Sequence, residues 1–213
     1  MKLSILIPTI PSRLQTYLPK MLAQVNTQIG SREDIEVIAL YDNKKRSIGQ
    51  KRNALLDLAQ GSHLVFLDDD DSISDDYISS VMEVLDKSHP DCIVYDCLCT
   101  VTMPNRKILY HCKYGTEFGY KSGPPGSLWP VTTPDSYFYE QWTGKPSHTM
   151  VWKTSVAQHQ RYKNISNAED VDWAKRAVFG IKTQHRIDKI MYFYDADRSK
   201  SEYRKDLQGI PGI

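Results

Sequence analysis

The stretch that most constrains this chain is SHLVFLDDDD, residues 62–71. Leu64, Val65, Phe66 and Leu67 make an apolar run long enough for one buried strand. Four aspartates follow without interruption. A buried strand that ends in carboxylates carries negative charge to the edge of a sheet. In open α/β sheets that edge, beyond the carboxyl ends of the strands, is where ligands bind. Adjacent carboxylates repel one another unless water or a cation compensates them. Hard cations such as Mg2+ or Mn2+ take oxygen ligands and commonly share them with a substrate's phosphates. The same run also reads as a turn and helix start, because Asp serves both and Ser74, Asp75 and Asp76 follow.

The flanking sequence specifies what surrounds that strand. Leu3 to Ile7 reads as a first strand, and Pro8 and Pro11 bracket a stiff turn after it. Ser12 and Gln15 match a capping box, which predicts a helix to about Gln28. Ile35 to Tyr41 is a second strand, ending at Asp42 and Asn43. Ser47 and Gln50 match a second capping box, and Ala54, Leu55, Leu58 and Ala59 line one stripe of its helix until Gly61. After the central strand, Ser74 opens a helix with Ile78, Val81, Met82 and Leu85 on its apolar face. Asp91 to Val101 is again strand-like. Alternating strands and helices predict an α/β domain, with a mostly parallel central sheet and helices on both faces.

Beyond residue 100 the character changes: 17 of the 22 aromatic residues and all four tryptophans follow it. Arg106 to Cys112, Thr149 to Thr154 and Lys189 to Tyr194 read as strands. Residues 115–134 have loop composition, with four glycines and four prolines. Ser166 and Glu169 match a third capping box, ahead of a helix with Val171, Ala174 and Val178 on one face. Residues 196–213 read as a polar surface tail.

With 213 residues, the chain has the size of one domain, or one with an appendage. Its 27 basic and 26 acidic residues leave a formal charge of +1, which excludes bulk attraction to nucleic acid or membrane. A local basic rim remains open, from Lys44, Lys45, Arg46, Lys51 and Arg52 with Arg198, Lys200, Arg204 and Lys205, although solvated lysines explain it as well. Cys92, Cys97, Cys99 and Cys112 lack the paired spacing of a zinc site and read as buried, reduced thiols. The apolar run at the N-terminus is only five residues before Pro8, and none reaches transmembrane length. A soluble cytoplasmic protein is expected.

Three strand ends carry groups that converge on one edge of a parallel sheet: Pro8, Thr9 and nearby Arg13; Asp42; and Asp68 to Asp71. A carboxylate at Asp42 suits a hydrogen bond from a base or ribose. Lys51, Arg52 and Asn53 either meet phosphate or brace the acidic cluster. Asp170 falls in the first turn of a helix, where the dipole favours an ionised carboxylate suited to general-base work.

The segments SILIPTIPSR, YDN, GQKRNALLDLAQGSHLVFLDDDD and NAEDVDWAKRAVFG, in this order and spacing, resemble the family 2 glycosyltransferases of the GT-A fold, over roughly residues 1–195. The resemblance implies a single GT-A (Rossmann-like) domain, with a nucleotide-sugar-binding half over 1–100 and a smaller, mixed acceptor half over 101–195. It implies a nucleotide-diphosphate sugar donor, UDP being favoured, a Mn2+ or Mg2+ ion, and inversion at the anomeric carbon. Pro8, Thr9 and Arg13 match the first nucleotide-binding loop, and Asp42 matches the group that reads the base. Asp68 and Asp70 match the D-x-D positions, with Asp70 the direct metal ligand and Asp68 near the ribose or metal. Lys51, Arg52, Asn53 and Asp69 join the donor-binding set, and Asp170 matches the catalytic base. A third metal ligand is open among His148, His185, Asp195 and Asp197. Trp142 is placed to stack on a sugar, and His148 either binds acceptor, pyrophosphate or metal or, as a lone histidine more often is, is structural. Glu169 is either an acceptor contact or the capping partner of Ser166, and Trp173 is read as core. Asp195 and Asp197, with Arg198 and Lys200, either close over the diphosphate or belong to the tail. Asn43, Lys44 and Lys45 replace the family's usual Gly-Ser after Asp42, which loosens the nucleotide assignment. The acceptor stays open among a glycan, a small molecule and a hydroxylated nucleic-acid base. Two rival classes are a sugar-1-phosphate nucleotidyltransferase, disfavoured by a first loop without glycine, and a non-catalytic nucleotide-sugar-binding module.

Overall fold

Every residue of Leu3–Thr9 (β1) is buried, as a central strand with both faces covered requires. The computed structural model describes residues 1–103, 106–119, 131–132 and 137–197. In chain order, β1 is followed by Leu18–Ile29 (α1), Ile35–Tyr41 (β2), Ile48–Leu58 (α2), His63–Phe66 (β3), Ser72–Ile73 (β4), Tyr77–Lys87 (α3) and Cys92–Met103 (β5). The second half adds Arg106–Tyr114 (β6), Val131–Thr132 (β7), Tyr137–Gly144 (β8), Val151–Lys153 (β9), Thr154–Gln158 (α4), Glu169–Ala177 (α5) and Gln184–Asp197 (β10).

β1 lies between β2 and β3 and is parallel to both, with Leu3 level with Ile35 on one side and with His63 on the other. The chain leaves β1 to one side and returns to its other side. A crevice therefore opens beyond the carboxyl ends of β1 and β3, the topological switch point of such a sheet. The expected parallel run is interrupted next to β3. β9 pairs antiparallel with both β3 and β5, so β3 and β5 run parallel with a reversed strand between them. On its other side β5 carries β10 in parallel register, from Gln184 opposite Cys92 to Asp197 opposite Thr102. β6 extends β5 as an antiparallel ribbon, and β8 adds to β6 in parallel. The sheet is thus α/β and parallel at its nucleotide side, and mixed where the second half joins.

The helices pack in two groups, α1 with α3, and α2 with α4 and α5. An aromatic cluster welds the second group to the sheet. Trp173 of α5 stacks on Tyr162 at 4.9 Å and meets Trp152 of β9 edge-on at 5.0 Å, and Tyr162 meets Phe66 of β3 edge-on at 5.6 Å. Trp173 is fully buried, the core role expected of it. Two glycines permit close approach. A Cβ on Gly49 would lie 1.9 Å from the Lys163 carbonyl oxygen, and one on Gly61 would lie 2.6 Å from the Ser4 amide nitrogen.

Two expected helix starts differ. Ser12 and Gln15 form no capping box: Pro11–Arg13 is one 3-10 turn, and α1 begins at Leu18 with Pro19 in its first turn. Ser166 does not cap α5 either. Its N-cap is Ala168, in the left-handed conformation at φ 56°, and Glu169 is the first helical residue. Ser47 and Gln50 do form the reciprocal capping box that opens α2. α3 starts at Tyr77 behind Asp76 rather than at Ser74. β10 is far longer than the strand expected at 189–194. The basic residues beyond Asp197 and most of the 115–134 loop lie outside the described residues.

Candidate functional site

Four backbone termini deliver the polar groups to the crevice. β1 ends at Thr9, β2 ends just before Asp42, β3 runs into the four aspartates, and α5 opens with Glu169 and Asp170. Buried cations from the first turns of α2 tie these ends together. Lys51, 2 % exposed, donates to the Thr9 carbonyl at 2.6 Å and pairs with Asp42 Oδ1 at 3.1 Å, joining the ends of β1 and β2. Arg52 is 3 % exposed and donates to Asp68 Oδ1 at 2.8 Å through Nη2 and to Glu169 Oε1 at 3.3 Å through Nε. Its guanidinium also lies over the rings of Phe66 and Tyr162. Both side chains brace the strand ends, Lys51 those of β1 and β2 and Arg52 the acidic loop against α5. Asn53 lies apart: its amide donates to the Tyr162 carbonyl at 2.9 Å and accepts from the Tyr162 amide at 2.8 Å, so both polar ends are spent on the backbone ahead of α5.

The four aspartates divide by environment. Asp69 has no exposed side-chain surface, accepting from the Thr9 hydroxyl and from Arg13 Nη1 at 2.7 Å. Asp69 thus ties the two loops together from inside. Arg13 extends its other Nη to Asp70 Oδ2 at 2.8 Å, and this pair is open to solvent on both sides. Asp71 accepts from the Tyr192 hydroxyl at 2.5 Å and from the Asp195 amide at 3.3 Å, while the same Tyr192 oxygen accepts from the Asp68 amide at 3.2 Å. A strand remote in sequence therefore shapes the acidic loop. Nothing in the sequence singled out Tyr192, because adjacency of β10 to that loop follows only from tertiary pairing.

The electrostatics follow from these contacts. Burial works to raise Asp68, but the charge of Arg52 and the bond from His148 outweigh it and hold the carboxyl low. Burial also opposes ionisation of Asp42, and the bond and charge of Lys51 overcome it. Asp70 goes the other way: burial and the charges of Asp68 and Asp69 outweigh Arg13, and its carboxyl is raised. Asp71 is raised well above its usual range by burial and by the charge of Asp68. Glu169 is raised by burial, against the pull of Arg52. Asp70 and Asp71 are thus the acids of the loop whose ionised form a compensating cation would stabilise most. Among the described residues no three His, Cys, Asp or Glu side chains are grouped to hold a metal unaided. Asp70, with 32 % of its side chain exposed, is accessible to an ion such as Mg2+, which takes one or two carboxylates and completes its shell with water and phosphate.

One oxygen of Asp42, Oδ2, is buried without a hydrogen-bond partner, as are Arg52 Nη1 and the Tyr162 hydroxyl. The Asp42 acceptor lies next to the crevice, so a ligand's N–H or O–H would satisfy it. His148 reaches Asp68 with Nε2 at 3.5 Å and Asp170 with Nδ1 at 3.4 Å. Asp170 keeps 31 % of its side chain exposed, which leaves it accessible to a reacting group. Asp195 reaches the site through its backbone. His185 lies seven residues before Tyr192 on β10, about 20 Å along the strand, and is not at this edge. The side chains of Trp142 and Asp197 lie outside the described residues.

The fold is GT-A, a single α/β domain whose acidic edge faces the switch point. The family model described as "Glycosyl transferase family 2" matches residues 40–132, from β2 through the acidic loop into the second half. Over this stretch, less than half of the chain, the sequence is similar to glycosyltransferase family 2. Its fold is similar to that of S. aureus TarS. The TarS 1–349 structure superposes with a TM-score of 0.62 at 18 % identity, over 92 % of this chain and 60 % of that one. The same fragment in complex with UDP-GlcNAc gives 0.63 at 17 %, over 94 % and 61 %. TarS itself gives 0.61 at 17 %, over 98 % and 38 %. The chain therefore spans about 60 % of the length of the TarS fragment. No curated protein matches the sequence. No helix among the described residues is long and apolar enough to cross a membrane.

Proposed function

We propose that the chain is a metal-dependent, inverting glycosyltransferase that moves a sugar from a uridine-diphosphate donor to an acceptor hydroxyl. The observation that carries this reading is the meeting, at the mouth of the β1–β3 crevice, of a charge-rich acidic loop with an accessible Asp170 on a separate element. The unpartnered Asp42 oxygen receives a donor group of the nucleobase, and Lys51 keeps that carboxylate ionised and in place. Asp70, flanked by Asp68, holds Mn2+ or Mg2+ together with the diphosphate, the ion supplying charge neutralisation as the diphosphate departs. Arg13, now paired with Asp70, is exposed enough to turn to a phosphate oxygen. Asp170 takes the proton of the acceptor hydroxyl as its oxygen attacks the anomeric carbon from the face opposite the leaving group. The TarS fragment solved with UDP-GlcNAc makes that sugar nucleotide the first donor to test. The acceptor is a glycan, a small molecule or a modified nucleic acid. The four thiols, all free, support a reducing, cytoplasmic setting.

The test is hydrolysis of UDP-, GDP-, CDP- and dTDP-sugars with Mn2+ or Mg2+, in the parent, Asp70→Asn and Asp170→Asn. Slow release of one nucleotide diphosphate, dependent on metal, lost in Asp70→Asn and lowered to a residual rate in Asp170→Asn, is expected. Absence of hydrolysis together with absence of metal-dependent nucleotide binding would leave a non-catalytic module as the better account.

A further inference from the structure

Asp68 ends one strand and Asp170 opens a helix far away in sequence, and a single imidazole stands between them, His148, at 3.5 and 3.4 Å. The ring is held rather than free, with 9 % of the residue exposed. On one side of it, Trp152 Nε1 donates to the Ser147 carbonyl at 2.9 Å. On the other, the Tyr95 hydroxyl donates to the Thr149 carbonyl, and Tyr95 is itself joined to the Tyr77 hydroxyl at 2.8 Å. The hydroxyls of Ser147 and Thr149 bond across the turn at 2.7 Å. A second brace runs alongside, because Arg52 binds the other oxygen of Asp68 and reaches Glu169. Asp68, Arg52, Glu169, Asp170 and His148 thus close a ring in which each carboxylate faces a nitrogen.

The backbone at this point is strained. Ala168, directly before the two acids, has φ 56°, a left-handed conformation in which its Cβ crowds the following carbonyl oxygen. Such strain persists where surrounding contacts over-determine it, and it gathers at functional sites. The contacts here are the two braces on Glu169 and Asp170. Without them, the carboxylates of Glu169 and Asp170 on α5 would repel that of Asp68, and the first turn of α5 would be free to move away from the acidic loop.

We infer that His148 is a positioning residue that fixes Asp170 against Asp68, acting through Asp170 rather than on the acceptor, with Arg52 and Glu169 as a parallel brace. The inference rests on the reading of Asp170 as the base, and it replaces the acceptor contact expected of His148. A base displaced by about 1 Å loses on the order of 100-fold in rate, so a rigid histidine beside it has a direct catalytic consequence.

Two readouts test it, in His148→Ala, His148→Gln, Asp170→Asn and the double variant His148→Ala/Asp170→Asn. The first is hydrolysis of UDP-GlcNAc with Mn2+. His148→Ala is expected to lower kcat about 10- to 100-fold with donor KM changed less than about threefold. The Gln variant, which keeps a donor, recovers part of the rate, and the alanine substitution costs nothing further once Asp170 is Asn. A KM that rises as far as kcat falls, or losses that multiply in the double variant, would overturn the inference. The second readout needs no substrate. Hydrogen exchange by NMR at the Asp172 amide, which donates to the Ala168 carbonyl at 3.0 Å, should quicken in His148→Ala without nucleotide; unchanged exchange there would also overturn it. Should the parent hydrolyse no sugar nucleotide, the reading of Asp170 as the base fails on its own, and the exchange result still decides whether His148 holds α5.

Discussion

At the scale of single residues, the site is defined by which polar atoms are left over after the internal ties are made. Asp69 has none to offer, whereas Asp42 keeps a buried, unpartnered oxygen. Removing its charge in Asp42→Asn should weaken UDP binding by about 10- to 150-fold, since a charged hydrogen bond is worth about 1.5–3 kcal/mol; titration calorimetry checks this. Ala168→Gly relieves the left-handed strain and should stabilise the fold by about 1 kcal/mol, read from urea unfolding. Gly49→Ala does the reverse, because the added carbon would lie 1.9 Å from a backbone oxygen. A loss of about 1–3 kcal/mol is expected. The acids at these positions were legible in the sequence, as was their gathering at strand ends. Which of four adjacent aspartates is consumed internally was not, because that depends on Thr9 and Arg13 approaching from another loop.

Among the elements, three capping-box patterns had equal claims and only one forms. Ser47 and Gln50 cap α2 because nothing else competes for them, and Ser47→Ala should cost about 1 kcal/mol, measurable as a lower urea midpoint. At Ser12 the competing signal was Pro19, which a helix tolerates only in its first turn; α1 accordingly starts at Leu18, and the sequence contained that information. At Ser166 it did not. Glu169 leaves the cap for Arg52, a residue more than a hundred positions earlier, since a buried guanidinium without its carboxylates would be far costlier than an unmade cap. β3 supplies a pH effect. His63 is fully buried, bonded through Nε2 to the Pro90 carbonyl at 2.8 Å, and burial lowers its pKa from the ordinary 6.5. The folded state therefore binds this proton less tightly than the unfolded chain. Its contribution to stability is complete above about pH 6.5 and is lost as the pH falls from there through the depressed folded value. Unfolding free energies between pH 7.5 and 5 should show that decline in the parent and a smaller one in His63→Leu.

For the molecule as a whole, donor and metal bind a folded site and should stabilise it together. At a hundred times the dissociation constant, ligand adds about 2.7 kcal/mol, or a rise in Tm of about 5–10 °C for a chain of this size. Mn2+ with UDP should produce that shift by calorimetric scanning. Asp70→Asn should keep the nucleotide's share and lose the part that Mn2+ adds.

Taken by itself, the sequence determined the α/β class, the strand that ends in carboxylates, the helix that brings Lys51 and Arg52, and the resemblance to family 2 glycosyltransferases. All of these rest on local pattern: runs of apolar residues, their periods, and motif spacing along the chain. Only the tertiary structure decided that β9 runs backwards between β3 and β5, that Tyr192 and His148 frame the acidic loop, and that Arg52 holds Glu169. Those choices are made by contacts between residues distant in sequence. Their energies come from burial and charge compensation that no local window contains.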